Sequence, residues 1–103
     1  MLRQMVELRP RDPFPRYGLA MELKKRGDLA AAAAEFATLV EHDPAYVPSY
    51  LMYGGLLREL GRVADAIAVL ERGIAAAQAA GDGHAAGELA GMHAELVGAP
   101  EHS

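Results

Sequence analysis

The sequence predicts an all-α fold built from antiparallel helix-turn-helix units, and three observations predict it. The first is an echo at a spacing of 34 residues. Arg16, Leu19, Ala20, Leu23, Gly27, Ala32 and Phe36 are answered by Tyr50, Tyr53, Gly54, Leu57, Gly61, Ala66 and Leu70. Large and small apolar residues fall at the same offsets in both copies, as expected of a helical repeat. The second is helical periodicity. Tyr50, Tyr53, Gly54 and Leu57 stand at i, i+3, i+4 and i+7, and so form one stripe of a helix. The third is punctuation: Gly27, repeated as Gly61, can take the left-handed conformation that ends a helix, and Gly81-Asp82-Gly83 is a further break.

These signals divide the 103 residues into six helical segments. Residues 2–8 read as a short helix, stopped by the cluster Pro10, Pro13 and Pro15. Residues 15–26 follow, ended by Gly27, with Asp28 as a candidate N-cap for the next helix. Residues 29–42 carry the stripe Leu29, Ala32, Phe36, Leu39 and Val40, and stop at Asp43-Pro44. Pro48 suits the first turn of a helix over 47–60. Residues 63–79 carry Val63, Ala66, Ile67, Leu70, Gly73 and Ile74 on one stripe. A last segment over 84–97 is weakly amphipathic. No stretch shows the alternation of a strand. Ala20, Gly54, Ala32 and Ala66 are small at facing points of the paired helices, so the backbones approach closely there. Phe36 and Leu70 fill the space one turn later.

Composition narrows the function. The chain has room for one small domain, taken as residues 1–103. It has no cysteine, which excludes disulfides and thiolate metal sites. No apolar run approaches the roughly 20 residues of a membrane span. The N-terminus lacks the uninterrupted apolar stretch of a signal peptide, so a cytoplasmic location is expected. Net charge is −4, unevenly spread. Residues 1–27 hold seven basic and three acidic side chains, and residues 28–103 hold three and eleven. An acidic body argues against nucleic-acid binding.

The pattern resembles the tetratricopeptide repeat, a 34-residue helix-turn-helix unit. The resemblance covers residues 13–46 as one repeat and 47–80 as a second. It rests on Ala20, Leu23, Gly27-Asp28, Ala32, Phe36 and Asp43-Pro44, then on Tyr50, Gly54, Leu57, Gly61 and Ala66. Arg16 departs from it where an aromatic is usual, and Gln78 where a proline usually ends the unit. The second departure predicts that helix 63–79 runs past the usual stop. Residues 2–10 are similar to the second helix of a truncated unit, and residues 84–97 to the capping helix that closes such arrays. The whole chain is similar to short free-standing bacterial proteins of this family. The resemblance implies a short right-handed superhelix whose first helices line a concave groove.

It also implies which residues face that groove. From the first repeat these are Phe14, Tyr17, Met21 and Lys24, with Gly18 and Lys25 beside them. From the second they are Pro48, Leu51, Gly55 and Arg58, with Met52 and Glu59. The expected surface is an apolar floor of Tyr17, Met21, Leu51 and Met52, edged by Lys24, Lys25 and Arg58. One subtype of the family grips a peptide's terminal carboxylate with Lys and Asn. Tyr17, Met21 and Met52 stand at the corresponding positions here and cannot do so. An apolar helix or peptide suits the groove better. Tyr17, Met21 and Leu51 have an alternative role as packing for neighbouring helices.

Catalytic chemistry is sparse. Gly81-Asp82-Gly83 lacks the strand and the Lys-Ser/Thr of a phosphate loop. Ser49, Ser103 and Thr38 are the only hydroxyl nucleophiles of their kind, and none sits in a nucleophile elbow. His84, Glu88 and Glu95 share one helix face, at about 0°, 40° and 20°, with His93 on the opposite side. That is a weak metal-site candidate, more simply a polar face. The expectation is a protein-interaction scaffold or adaptor, with no enzyme activity, cofactor or metal. A self-associating homodimeric structural protein is the alternative, and a metal protein or enzyme ranks below it.

Overall fold

The computed structural model describes residues 2–8 and 12–98, and every regular element among them is helical. The helices are α1 (Leu2–Leu8), α2 (Pro13–Lys25), α3 (Leu29–His42), α4 (Pro48–Glu59), α5 (Val63–Ala79) and α6 (Gly83–Gly98). α2 packs on α3 and α4 on α5 as helix pairs, α3 joins one pair to the next, and α1 and α6 close the two ends. Pro10, assigned a helix-stopping role, lies outside the described residues.

Three helix ends share one hydrogen-bond pattern. In α2 the Gly27 N–H donates to Lys24 O at 3.0 Å and the Asp28 N–H to Leu23 O at 2.9 Å. Gly61 with Arg62, and Gly81 with Asp82, repeat this at the ends of α4 and α5. The glycines take φ of 85°, 76° and 71°, values that cost an L side chain but not glycine.

Two local expectations are corrected. α2 begins at Pro13, because Asp12 Oδ1 accepts from the Phe14 N–H at 3.0 Å and both prolines fit a first turn whose N–H groups have no helical partner. Asp28 does not cap α3 with its side chain; its backbone carbonyl accepts from Ala32 N instead. A second side-chain cap, besides that of Asp12, occurs at Asp82, whose Oδ1 accepts from Ala85 N at 3.0 Å.

The core runs through both pairs. Phe36, Leu39, Leu56, Leu57 and Leu70 are fully buried, each stabilising the fold by ~1.5–3 kcal/mol. Aromatic rings form a chain: Tyr46 and Phe36 meet Tyr17 edge-on at 5.6 and 6.1 Å, and Phe36 stacks on Tyr53 at 6.0 Å. Close approach depends on small residues. A Cβ placed on Gly54 would lie 2.6 Å from Leu70 Cδ2, and one on Gly73 2.5 Å from Tyr50 Cβ. Val63, assigned to the buried stripe of α5, is exposed at that helix's first residue, while Val69 and Ala77 are buried.

The departures at Arg16 and Gln78 acquire physical reasons. Arg16 Nη1 donates to Glu35 Oε1 at 2.7 Å, so a charge pair between α2 and α3 stands where the second unit uses an aromatic. Without a proline at position 78, α5 continues to Ala79 and is 17 residues long against 14 for α3.

Candidate peptide-binding groove

α2, α4 and α6 line one side of the stack and leave a trough between them. Its larger part is a cleft of about 520 Å³ between α4 and α6, reached by Lys24 from α2. Leu51, Met52, Gly55, Arg58 and Glu59 form the α4 wall. Gly87, Glu88, Gly91, Met92 and Glu95 form the α6 wall. A second cleft of about 260 Å³ adjoins it, sharing Leu51, Met52 and Glu88 and adding Tyr17, Pro48 and His84.

The clefts bring together Tyr17, Lys24, Leu51, Met52, Gly55 and Arg58 of the residues expected to face a groove. Phe14, Met21 and Lys25 line neither cleft. Phe14 is 70% exposed, Lys25 is exposed, and Met21 packs against the core. Gly18 lies beneath α1, where a Cβ would meet Leu2 Cδ2 at 3.3 Å. Tyr17 lines the smaller cleft and also packs inside the stack. Its ring belongs to the aromatic chain, and burial, then the nearby Tyr46, push its hydroxyl above the ordinary 10.0.

The expected basic edge meets an acidic wall. Arg58 Nη1 donates to Glu95 Oε1 at 3.1 Å, joining α4 to α6 across the cleft. Glu88 lies 3.4 Å from His84 Nε2 on α6 itself. His93 faces the other way and lies 3.1 Å from Glu71 of α5. Glu95 therefore turns to Arg58, and His84, Glu88 and Glu95 do not converge. No group of three or more metal-capable side chains gathers among the described residues.

Comparison with known proteins decides the family. A family model described as tetratricopeptide repeat matches residues 23–90, from the end of α2 into α6. The chain belongs to the tetratricopeptide repeat family. A tetratricopeptide repeat domain protein from Salinibacter ruber is 38% identical in its crystal structure, over 86% of this chain and 99% of that one, with a TM-score of 0.81. Its solution structure gives 38% identity over 91% and 95% of the two chains, with a TM-score of 0.84. The TPR2B domain of yeast Sti1, in a complex with pHsp70, is 20% identical over 93% of this chain and 77% of that one. Its TM-score of 0.85 shows a shared fold. The search of curated proteins returned no match. Among the described residues no helix is long and apolar enough to cross a membrane.

Proposed function

We propose that this tetratricopeptide repeat protein is a non-catalytic interaction module that takes an apolar helix or peptide from a partner protein in the trough between α2, α4 and α6. The observation that carries the reading is the cleft with half-buried Leu51, Met52 and Met92 between α4 and α6. Half-exposed large apolar side chains in a concavity gain from being covered, by ~25 cal/mol for each Å² removed from water. Methionines at two of the three positions adapt to more than one ligand shape. Leu51 and Met52 are the principal contacts, and Lys24 and Arg58 orient the ligand by charge.

Selection from a random peptide display library tests this. Peptides are enriched on the wild-type protein and counter-selected on Met52→Glu, whose fold is checked by circular dichroism. The expected result is a set with apolar anchors spaced i, i+3 or i+4 that ignores Met52→Glu. Equal enrichment on both proteins would place the binding surface elsewhere and overturn the reading.

A further inference from the structure

α6 differs from the helices of the two pairs in what holds it. Of its sixteen residues Leu89 and Leu96 are buried, with Ala85, Ala86 and Met92 packed in part. α4, by contrast, buries Tyr50, Tyr53, Leu56 and Leu57. α6 lies at the end of the stack, against α5 and α4. Two ion pairs tie it down, Glu95 to Arg58 of α4 and His93 to Glu71 of α5. Their carboxylates are 70% and 62% exposed, and such pairs contribute little.

Its interior glycines have no packing role within the chain. Gly54 and Gly73 make space for Leu70 and Tyr50, but a Cβ on Gly87 or Gly91 would meet nothing within 4 Å. An interior glycine without such a role lowers the helix-forming equilibrium roughly fivefold relative to alanine. The same helix forms one wall of both clefts. Gly87, Glu88, Gly91, Met92 and Glu95 face α4 across the larger one, and His84, Ala85 and Leu89 line the smaller. Neither cleft exists without α6.

We infer that α6 unfolds and refolds as a unit of its own while α2 to α5 stay folded, and that occupancy of the trough is linked to its closure. The linkage rests on the trough being the binding surface. Opening of part of a fold occurs where buried apolar contacts are few. A ligand held by the closed form and not by the open one draws the equilibrium toward closure. The trough is a site completed by a movable wall.

Hydrogen exchange of the full chain, read by mass spectrometry, tests both halves. In the free protein the α6 amides should exchange about tenfold or more faster than those of α4 and α5. Gly87→Ala combined with Gly91→Ala should slow α6 exchange roughly tenfold or more and leave α3 to α5 unchanged. Leu96 is buried yet lines neither cleft. Leu96→Asp should strip α6 of protection, leave that of α3 to α5, and weaken a display-selected peptide about tenfold or more. That peptide, at about ten times its Kd, should slow α6 exchange of the unsubstituted protein roughly tenfold. Equal exchange of α6, α4 and α5, or loss of α3 to α5 protection in Leu96→Asp, would show one cooperative unit and overturn the inference. A peptide that loses affinity for Met52→Glu yet leaves α6 exchange unchanged would overturn the linkage alone. A peptide indifferent to Met52→Glu overturns the trough reading and the linkage with it, while exchange in the free protein still decides the opening.

Discussion

The two helix pairs solve one packing problem with different side chains. In the second pair α4 supplies Tyr50, whose ring lies over Gly73 of α5 and whose hydroxyl donates to Pro44 O at 2.6 Å. In the first, the positions 34 residues earlier hold Arg16 and Leu39. Leu39 is fully buried, and Arg16 reaches Glu35 instead of filling a notch. Large-on-small has become charged-with-bulky. Surroundings account for the difference. α4 is packed by α3, α5 and α6, so an aromatic there is fully enclosed. α2 meets α3 and the short α1, and leaves Arg16 at 15% exposure, wet enough to carry a charge. Repeat equivalence in this chain is thus equivalence of position, and residue type follows the neighbours.

Substitutions can break that comparison, and the largest effect is expected at the notch. Gly73→Ala places a Cβ 2.5 Å from Tyr50 Cβ, an atom next to the backbone that cannot swing away. Urea unfolding followed by circular dichroism should show a loss of about 3 kcal/mol. The same change in α6, Gly91→Ala, meets nothing within 4 Å and should stabilise slightly. Next come the small residues shared by both pairs. Ala66→Leu and Ala32→Leu fill sites of zero exposure and should each cost roughly 1–3 kcal/mol in the same assay. Near-equal losses would uphold the equivalence of the two units. A tolerated Ala32→Leu would show the first pair to be looser.

Smaller effects separate the two solutions. Tyr50→Phe removes one hydroxyl and leaves the Pro44 carbonyl without it, which should cost about 1 kcal/mol at any salt concentration. Arg16→Met removes the pair with Glu35 and should cost a similar amount at low salt, shrinking in 1 M NaCl. The smallest effect at ordinary pH comes from tyrosine ionisation. Burial raises the hydroxyls of Tyr17, Tyr50 and Tyr53 above 10.0, which favours the neutral form in the folded state. The unfolded chain therefore ionises first. Stability is fully present below pH 10 and falls as the pH rises from there through the folded-state values, by at most about 1.4 kcal/mol per pH unit for each tyrosine. Tyr53→Phe should flatten that slope in alkaline denaturation curves.

Most of the helical framework was legible because glycine, proline and apolar spacing act locally. Gly27, Gly61 and Gly81 mark helix ends through their own backbone preference, and the missing proline at Gln78 announced the longer α5. The trough was legible in part. Leu51, Met52, Gly55 and Arg58 follow the repeat register, whereas Glu88, Met92 and Glu95 belong to α6, outside the two 34-residue units. Their facing depends on how far one helix rotates the next, which a fixed 34-residue step does not carry. Phe14 and Lys25 show the converse. They occupy register positions at the two ends of α2 and are exposed there, and the register alone cannot tell an end from a middle.

Amide chemical-shift mapping tests most directly the claim that the trough is the functional surface. The isotopically labelled protein is titrated with a display-selected peptide to saturation. The account predicts shifts concentrated at Leu51, Met52, Gly55, Gly87, Gly91 and Met92, with α1 and the outer face of α5 unmoved. Shifts centred instead on exposed Met5 or Val63, with the trough silent, would contradict it.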